Sequence, residues 1–76
     1  MATELAPRII VDPQIRFGKP VIQGTRVPVD LIIAKLAGGM TAEMIAAEFD
    51  LAEADIQAAL KYAASVLASE EVRMAA

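Results

Sequence analysis

The segment from Gly18 to Pro28 constrains the fold of this 76-residue chain more than any other stretch. Glycine adopts positive φ angles at low cost, so Gly18 and Gly24 each allow the backbone to reverse direction. The β-branched pair between them suits a short strand, and proline suits the first position of a helix. The segment therefore predicts a strand between two turns, with Arg26 exposed at the second turn and a helix that begins at Pro28.

A short β-hairpin, or arm, is predicted at the start of the chain. Ile9–Val11 is β-branched, and the Asp12-Pro13 turn signal that follows leads to the next apolar positions, Ile15, Phe17, Val21 and Ile22. Because an isolated hairpin is unstable in water, the arm must pack on the helices or pair with the same arm of a second subunit. Residues 1–7 are predicted to form a flexible tail, so that ordered structure begins at Arg8.

Three helices are predicted after the arm, because apolar residues recur there at three- and four-residue spacing. The first runs from about Pro28 to Ala37 and ends at two glycines. Thr41 is a good N-cap for a short second helix. The third begins at Ala52 or Glu53 and is predicted to continue to about Met74. The apolar residues expected on the buried side of the second helix are Met44, Ile45 and Phe49. The third helix carries one apolar stripe, formed by Ile56, Ala59, Leu60, Ala63, Val66 and Leu67.

The second and third predicted helices have the apolar spacing of a helix-turn-helix, which needs a small residue where its helices cross. Ala46 is that small residue, and Asp50 occupies the turn position where glycine is usual, at some conformational cost. The fold predicted is mainly α: a helix-turn-helix-like three-helix domain over residues 8–76, with a short N-terminal β-hairpin, that forms a dimer. The motif's offsets are occupied by Ile45, Ala46, Phe49, Leu51, Ile56 and Ala59.

Residue types that are missing from the chain exclude several kinds of site. There is no cysteine and no histidine, so disulfides, the usual transition-metal ligands and the commonest catalytic bases are absent. We therefore expect no enzymatic activity, no cofactor and no metal. The sequence has no apolar run of about 18 residues and no signal-peptide pattern, so a cytoplasmic location is expected. With 57% hydrophobic residues in so small a domain, a homodimer or higher homo-oligomer is expected.

Charge is unevenly distributed along the chain. The first 40 residues contain five basic and three acidic residues, whereas the other 36 contain two basic and seven acidic residues. This asymmetry suggests one face for an anionic partner and another for a cationic one, or like subunits that pack head to tail. The residues predicted to contact DNA are Arg8, Arg16, Lys19 and Arg26 on the arm and turn, and Gln57 and Lys61 on the third helix.

Two alternatives to DNA contact follow from the same residues. Glu53 and Asp55 stand at the start of the third helix, where their carboxylates would oppose phosphates. That helix is therefore as well suited to packing on a protein as to entering a groove of DNA. Lys19 and Arg26 are also consistent with ordinary solvated charges on a turn.

Two segments are candidates for dimer or partner contacts, and the sequence does not choose between them. A third helix of about 20 residues is roughly 30 Å long, as long as the domain is wide, so its end should project from the body. The alternative for that end is a frayed tail. The candidate contacts are Val21 and Ile22 in the arm, and Val66, Leu67, Val72 and Met74 in the third helix.

The string GKP-x-I-x-GTR, the Ile10-Val11-Asp12-Pro13 segment before it and the helical run from Thr41 to Ala63 resemble a bacterial and archaeal family, domain of unknown function 433. The resemblance covers about Arg8 to Ala64 and implies a helix-turn-helix architecture. Several members of that family are considered antitoxins of type II toxin–antitoxin pairs, partnered with PIN-like ribonucleases in the manner of VapBC systems. Many other members have no assigned role.

The resemblance implies that this chain is such an antitoxin, which neutralises a PIN-like ribonuclease toxin and, with it, represses its own operon. An antitoxin arginine or lysine can replace the positive charge of the metal at the acidic, magnesium-binding site of the nuclease. Arg26, Lys19 and Arg73 are the candidates for that role. Two other functions stay open: a stand-alone DNA-binding regulator that binds operator DNA without a toxin, and a non-catalytic oligomeric scaffold.

Overall fold

The computed structural model describes residues 1–70, which contain three strands and three helices. The strands form one antiparallel sheet in the order β1-β2-β3. The result is a small α/β domain, whereas the sequence predicted a mainly helical one with only a hairpin. In chain order the elements are β1 (Thr3–Ala6), β2 (Ile9–Val11), β3 (Val21–Ile22), α1 (Val29–Ala37), α2 (Ala42–Phe49) and α3 (Glu53–Ser69).

The predicted hairpin is confirmed, because β2 and β3 pair in an antiparallel register that places Ile9 opposite Ile22. The prediction that ordered structure begins at Arg8 is wrong. Thr3–Ala6 pairs with β2 through a two-residue turn, with an irregularity in register between Glu4 and Ala6. This edge strand is largely exposed and is held by backbone hydrogen bonds, which need no apolar side chains. Its sequence therefore has no hydrophobic periodicity from which a strand could be predicted.

The core lies between the sheet and the three helices, so the arm packs on the helices of its own chain. All eight residues of the core cluster are isoleucine, valine or alanine. Seven of them are less than 6% exposed, and Ala46 is 8% exposed. In a close-packed interior of this kind, any loss of side-chain volume lowers the free energy of unfolding. The core residues are Ile9 and Ile22 from the sheet, Val29 and Ile32 from α1, Ile45 and Ala46 from α2, and Ile56 and Ala59 from α3.

The sequence predicted Val21 and Ile22 as partner contacts, and this prediction is wrong. The two residues are 0% and 1% exposed within the single chain. The loop after β3 folds back along the open edge of that strand, where Pro28 bridges to Val21 and the amide of Ile22 donates to the carbonyl of Val27. The chain therefore covers this edge itself.

The helix ends follow local rules in most places. Thr41 is the N-cap of α2, as predicted, and its hydroxyl accepts a hydrogen bond of 3.1 Å from the amide of Met44. The predicted burial of Met44 is wrong, since its residue is 52% exposed. Ile45 and Ala46 face the core instead. The third helix ends at Ser69, since Glu70 is extended, and the predicted continuation as far as Met74 lies outside the described residues.

The chain turns between α2 and α3 at Asp50, the predicted turn position. Asp50 adopts the left-handed conformation, with φ 55° and ψ 48°, and its amide donates to the carbonyl of Ala46. The amide of Leu51 donates to the same carbonyl at 2.8 Å. Ala46 is buried at this point, as a small residue between crossing helices should be. Among residues 1–70, no helix has both the length and the apolar character that crossing a bilayer requires.

Replacement of Thr41 tests the helix cap. We expect Thr41→Ala to lower the free energy of unfolding by about 1 kcal/mol, because the amide of Met44 loses its side-chain partner. Urea unfolding followed by circular dichroism would measure the change. Thr41→Ser keeps the hydroxyl and should retain most of the stability; an equal loss in both variants would contradict the role of the cap.

Candidate functional site

The GTR turn exposes one arginine on a fixed support. Gly24 has φ 80°, which confirms the predicted reversal. The Thr25 hydroxyl donates to the carbonyl of Ile22 at 2.8 Å and accepts from the amide of Val27 at 3.0 Å. These two bonds close the turn, and Arg26 is exposed next to them. Glycine and threonine thus supply the shape of the motif, and arginine supplies a cation that points to solvent, as predicted.

Arg8 stands in the turn between β1 and β2 in an unusual backbone conformation. Pro7 precedes it, and Arg8 itself has φ 70°, where a turn of this kind normally has glycine or asparagine. Its guanidinium Nη1 donates to Asp55 Oδ1 at 2.9 Å, across 47 residues of sequence. The other oxygen of that carboxylate accepts from the amide of Ala52 at 3.0 Å. One carboxylate therefore caps α3 and fixes the β1–β2 turn against it.

A groove of about 620 Å³ lies between this turn and α3; we call it the Arg8–Lys61 groove. Gln57 and Lys61 stand one helical turn apart, on the same exposed face of α3, and Arg8 faces them from the hairpin. Three of the six residues predicted to contact DNA thus line one depression, which combines two cations with an apolar wall. Its lining residues are Ala6, Pro7, Arg8, Ala54, Gln57, Ala58, Leu60, Lys61, Tyr62 and Ser65.

The other predicted DNA contacts are not part of this groove. Arg8 and Arg26 belong to one end of the β2–β3 pair, where the amide of Gln23 donates to the carbonyl of Arg8 at 2.8 Å. Arg16 and Lys19 lie in the loop at the opposite end. The six residues therefore do not form one continuous basic surface.

Lys19 is engaged within its own chain. Its ammonium donates to Asp30 Oδ2 at 2.9 Å. This hydrogen bond holds the pKa of the Asp30 carboxyl below its ordinary value, and the charge of the Arg16 guanidinium acts in the same direction. Both partners of the pair are more than half exposed, so its contribution to stability is small.

A second groove, of about 670 Å³, lies on the opposite flank of α3; we call it the α1–α3 groove. Val66 and Leu67, two of the predicted partner contacts, line it and are 39% and 65% exposed. Val72, Met74 and Arg73 lie outside the described residues. The walls are apolar except at one end, where Lys19 and Asp30 stand. Its lining residues are Lys19, Pro20, Val29, Asp30, Ile33, Ala34, Ala37, Tyr62, Ala63, Val66 and Leu67.

Sequence reasoning missed the partner of Arg8 and the existence of both grooves. Glu53 and Asp55 were treated as equivalent carboxylates, whereas Asp55 is paired with a cation and Glu53 is exposed. A capping signal was available, because an acid at the third position of a helix often reaches back to the first amide. Within residues 1–70, no three acidic side chains are grouped so that they could hold a metal ion.

Comparison with known proteins gives one family and one solved structure. The family model described as "Protein of unknown function (DUF433)" matches residues 9–63. The crystal structure of Rv2018 from Mycobacterium tuberculosis superposes on 68% of this chain with a TM-score of 0.63 and 27% sequence identity. The match spans 24% of that protein, so this chain corresponds to about a quarter of its length. No curated protein matches the chain.

Proposed function

Since the chain belongs to the DUF433 family, whose function is unknown, we propose that it is the antitoxin of a type II toxin–antitoxin pair. In this proposal it binds and neutralises a PIN-like ribonuclease, and the complex represses its own operon. The protein acts by binding and carries out no catalysis.

The Arg8–Lys61 groove is the observation that carries the proposal. A PIN-like ribonuclease is an acidic-site, magnesium-dependent enzyme, so its inhibitor must present cations to carboxylates. Arg8 and Lys61 face the same depression, and Leu60 and Tyr62 beside them provide apolar contact area. Guanidinium and ammonium groups are the side chains that bind carboxylates most strongly. An interface that combines such cations with a desolvating apolar surround has the character of a binding hot spot.

Arg8 lies on the groove itself, whereas Lys19 lies on the other flank of α3. Each of the two donates to a carboxylate of its own chain, Arg8 to Asp55 and Lys19 to Asp30, so it is position that favours Arg8. Arg26 is exposed at the same end of the sheet as Arg8 and can extend the basic edge of the groove. We therefore propose Arg8, Lys61 and Arg26 as the cations that approach the nuclease.

Binding to operator DNA is the second candidate function, favoured by the row of polar side chains on α3. Gln57 and Lys61 follow the Asp50 corner on an exposed helix face, as they would on the recognition helix of a helix-turn-helix. The pairing of Asp55 with Arg8 reduces the negative charge that such a helix would bring to DNA. In this alternative the protein would bind its operator through this face without a toxin, as a dimer that doubles the number of contacts.

A pull-down of the tagged protein from its native host tests the proposed function. We expect a PIN-like ribonuclease to elute with it in stoichiometric amount, and the isolated nuclease to lose RNA-cleaving activity when one equivalent of this protein is added back. A tagged protein of similar size and charge serves as the control for nonspecific capture. Recovery of the chain alone, or a captured nuclease that remains active in its presence, would overturn the antitoxin proposal.

A further inference from the structure

Phe17 is the most exposed of the large apolar residues among residues 1–70. Its residue is 102% exposed, so the ring makes almost no contact with the rest of the chain. An aromatic side chain held entirely in water forfeits the largest apolar burial that a residue can provide. Phe17 therefore forms an isolated apolar knob on the surface.

The backbone that presents this knob is strained and well held. Arg16, Phe17 and Gly18 have φ angles of 51°, 58° and 82°, so three consecutive residues are left-handed. Only glycine adopts this conformation readily, and a bulky residue there is an outlier. Local hydrogen bonds fix the turn: the amide of Gly18 donates to the carbonyl of Ile15 at 3.1 Å, and that of Lys19 to the carbonyl of Arg16 at 3.1 Å. Strained residues of this kind concentrate at functional positions.

The α1–α3 groove lies directly beside the knob. Lys19, two residues after Phe17, is part of the groove's rim, and Arg16 is close enough to Asp30 on that rim to affect its pKa. The floor includes Ala34 of α1, whose small side chain is exposed. The α3 side is formed by Tyr62, Ala63, Val66 and Leu67, which belong to a stretch of eight successive residues, 62–69, without a charge. Within residues 1–70, the knob and an apolar groove thus occupy one face of the same chain.

We propose that this face is the interface of a two-fold homodimer, in which Phe17 of each copy inserts into the α1–α3 groove of the other. A two-fold contact uses the same patch on both copies, so knob and groove must lie side by side on one face, as they do here. The rim carries one residue of each sign, Lys19 and Asp30, already paired within the chain, so the two copies present rims without net charge to each other. This contact does not depend on the proposed function, because the α1–α3 groove shares only Tyr62 with the Arg8–Lys61 groove.

The area available is appropriate for a dimer. Two buried phenylalanines account for about 300–500 Å², and the groove walls that they cover contribute a similar amount. Val66 and Leu67, exposed beside the groove, extend the contact toward the roughly 1,200 Å² that specific interfaces bury. A second copy fits the surface better than a charged partner, which would bring unpaired charges to residues 62–69. It also gives a small domain the additional apolar burial that its composition leads one to expect.

Sedimentation equilibrium of the purified full chain over a wide concentration range tests the proposal. We expect the wild type to dimerise, and Phe17→Ser to raise the dimer dissociation constant at least about a hundredfold, since two interface aromatics are lost at once. Ala34→Glu places a carboxylate in the groove from an exposed position and should have a similar effect. Met44→Ser removes another exposed apolar side chain, on α2, away from both grooves, and should leave the dimer unchanged.

Mixing the two interface variants supplies a test that a general loss of stability cannot imitate. The Ala34→Glu chain keeps its knob and the Phe17→Ser chain keeps its groove, so the mixture regains one of the two contacts and should form a heterodimer more readily than either variant self-associates. Circular dichroism of each variant verifies that it is folded. A monomeric wild type, a dimer that persists in both variants, or a mixture with no heterodimer would each overturn the proposal and assign the groove to another occupant.

Discussion

Ile32→Ala is expected to lower the free energy of unfolding by about 2–5 kcal/mol, enough to leave much of the protein unfolded. Ile32 is 0% exposed, at the point where α1 packs into the core shared with the sheet, α2 and α3. Truncation removes apolar burial and leaves a cavity that well-packed neighbours cannot fill. A single core of this size supplies only a few kcal/mol of net stability, so one such loss consumes most of it.

The measurement is urea unfolding monitored by circular dichroism, with Met44→Ala as the matched control. Met44 is 52% exposed on α2, so its truncation should change the free energy of unfolding by less than about 0.5 kcal/mol. Both substitutions replace a large aliphatic side chain in a helix by alanine, and only the burial differs. Equal losses in the two variants would contradict the core as described.

Features of the fold that follow local rules were predictable from the sequence. The β-branched run at Ile9–Val11 formed a strand, and Thr41 capped a helix because its hydroxyl can reach a free amide. Asp50 entered the left-handed region where a helix-turn-helix has glycine, since aspartate tolerates that conformation better than most residues. In each case the residues responsible are neighbours in sequence.

Features that depend on residues distant in sequence were not predictable in the same way. The edge strand β1 is held by backbone pairing and has few buried side chains, so it lacks a hydrophobic pattern. Arg8 and Asp55 are 47 residues apart, and no local rule pairs them. The sequence shows that Val21 and Ile22 are apolar but not where they are buried. They are buried within one copy, where the loop after β3 folds back along that strand.

The candidate site shows the same division. Gln57 and Lys61 were identified together because four-residue spacing places them on one face of a helix. Their convergence with Arg8 required the hairpin turn to dock against α3, which the Arg8–Asp55 pair achieves. Phe17 was predicted as an ordinary apolar position of the arm. Its left-handed backbone conformation could not be predicted, because phenylalanine rarely adopts it.

Lys61→Glu is expected to weaken binding of the partner nuclease at least about thirtyfold. In the proposed complex Lys61 faces carboxylates, so reversal of its charge removes one attraction and introduces a repulsion in a desolvated interface. The residue is exposed on α3 and belongs to no ion pair among residues 1–70, so folding should be unaffected. Isothermal titration calorimetry with the captured nuclease would give the dissociation constants.

Lys35→Glu is the matched control, because it changes the net charge by the same amount from α1, where it lines neither groove. Long-range steering is altered equally in both variants, so a difference between them reports local contact in the Arg8–Lys61 groove. Gln57→Ala then separates the two candidate functions. An amide that reads a base edge should lose discrimination among operator sequences when truncated, whereas a nuclease interface carried by Arg8 and Lys61 should change little. Equal weakening by Lys61→Glu and Lys35→Glu would mean that this groove is not where the nuclease binds.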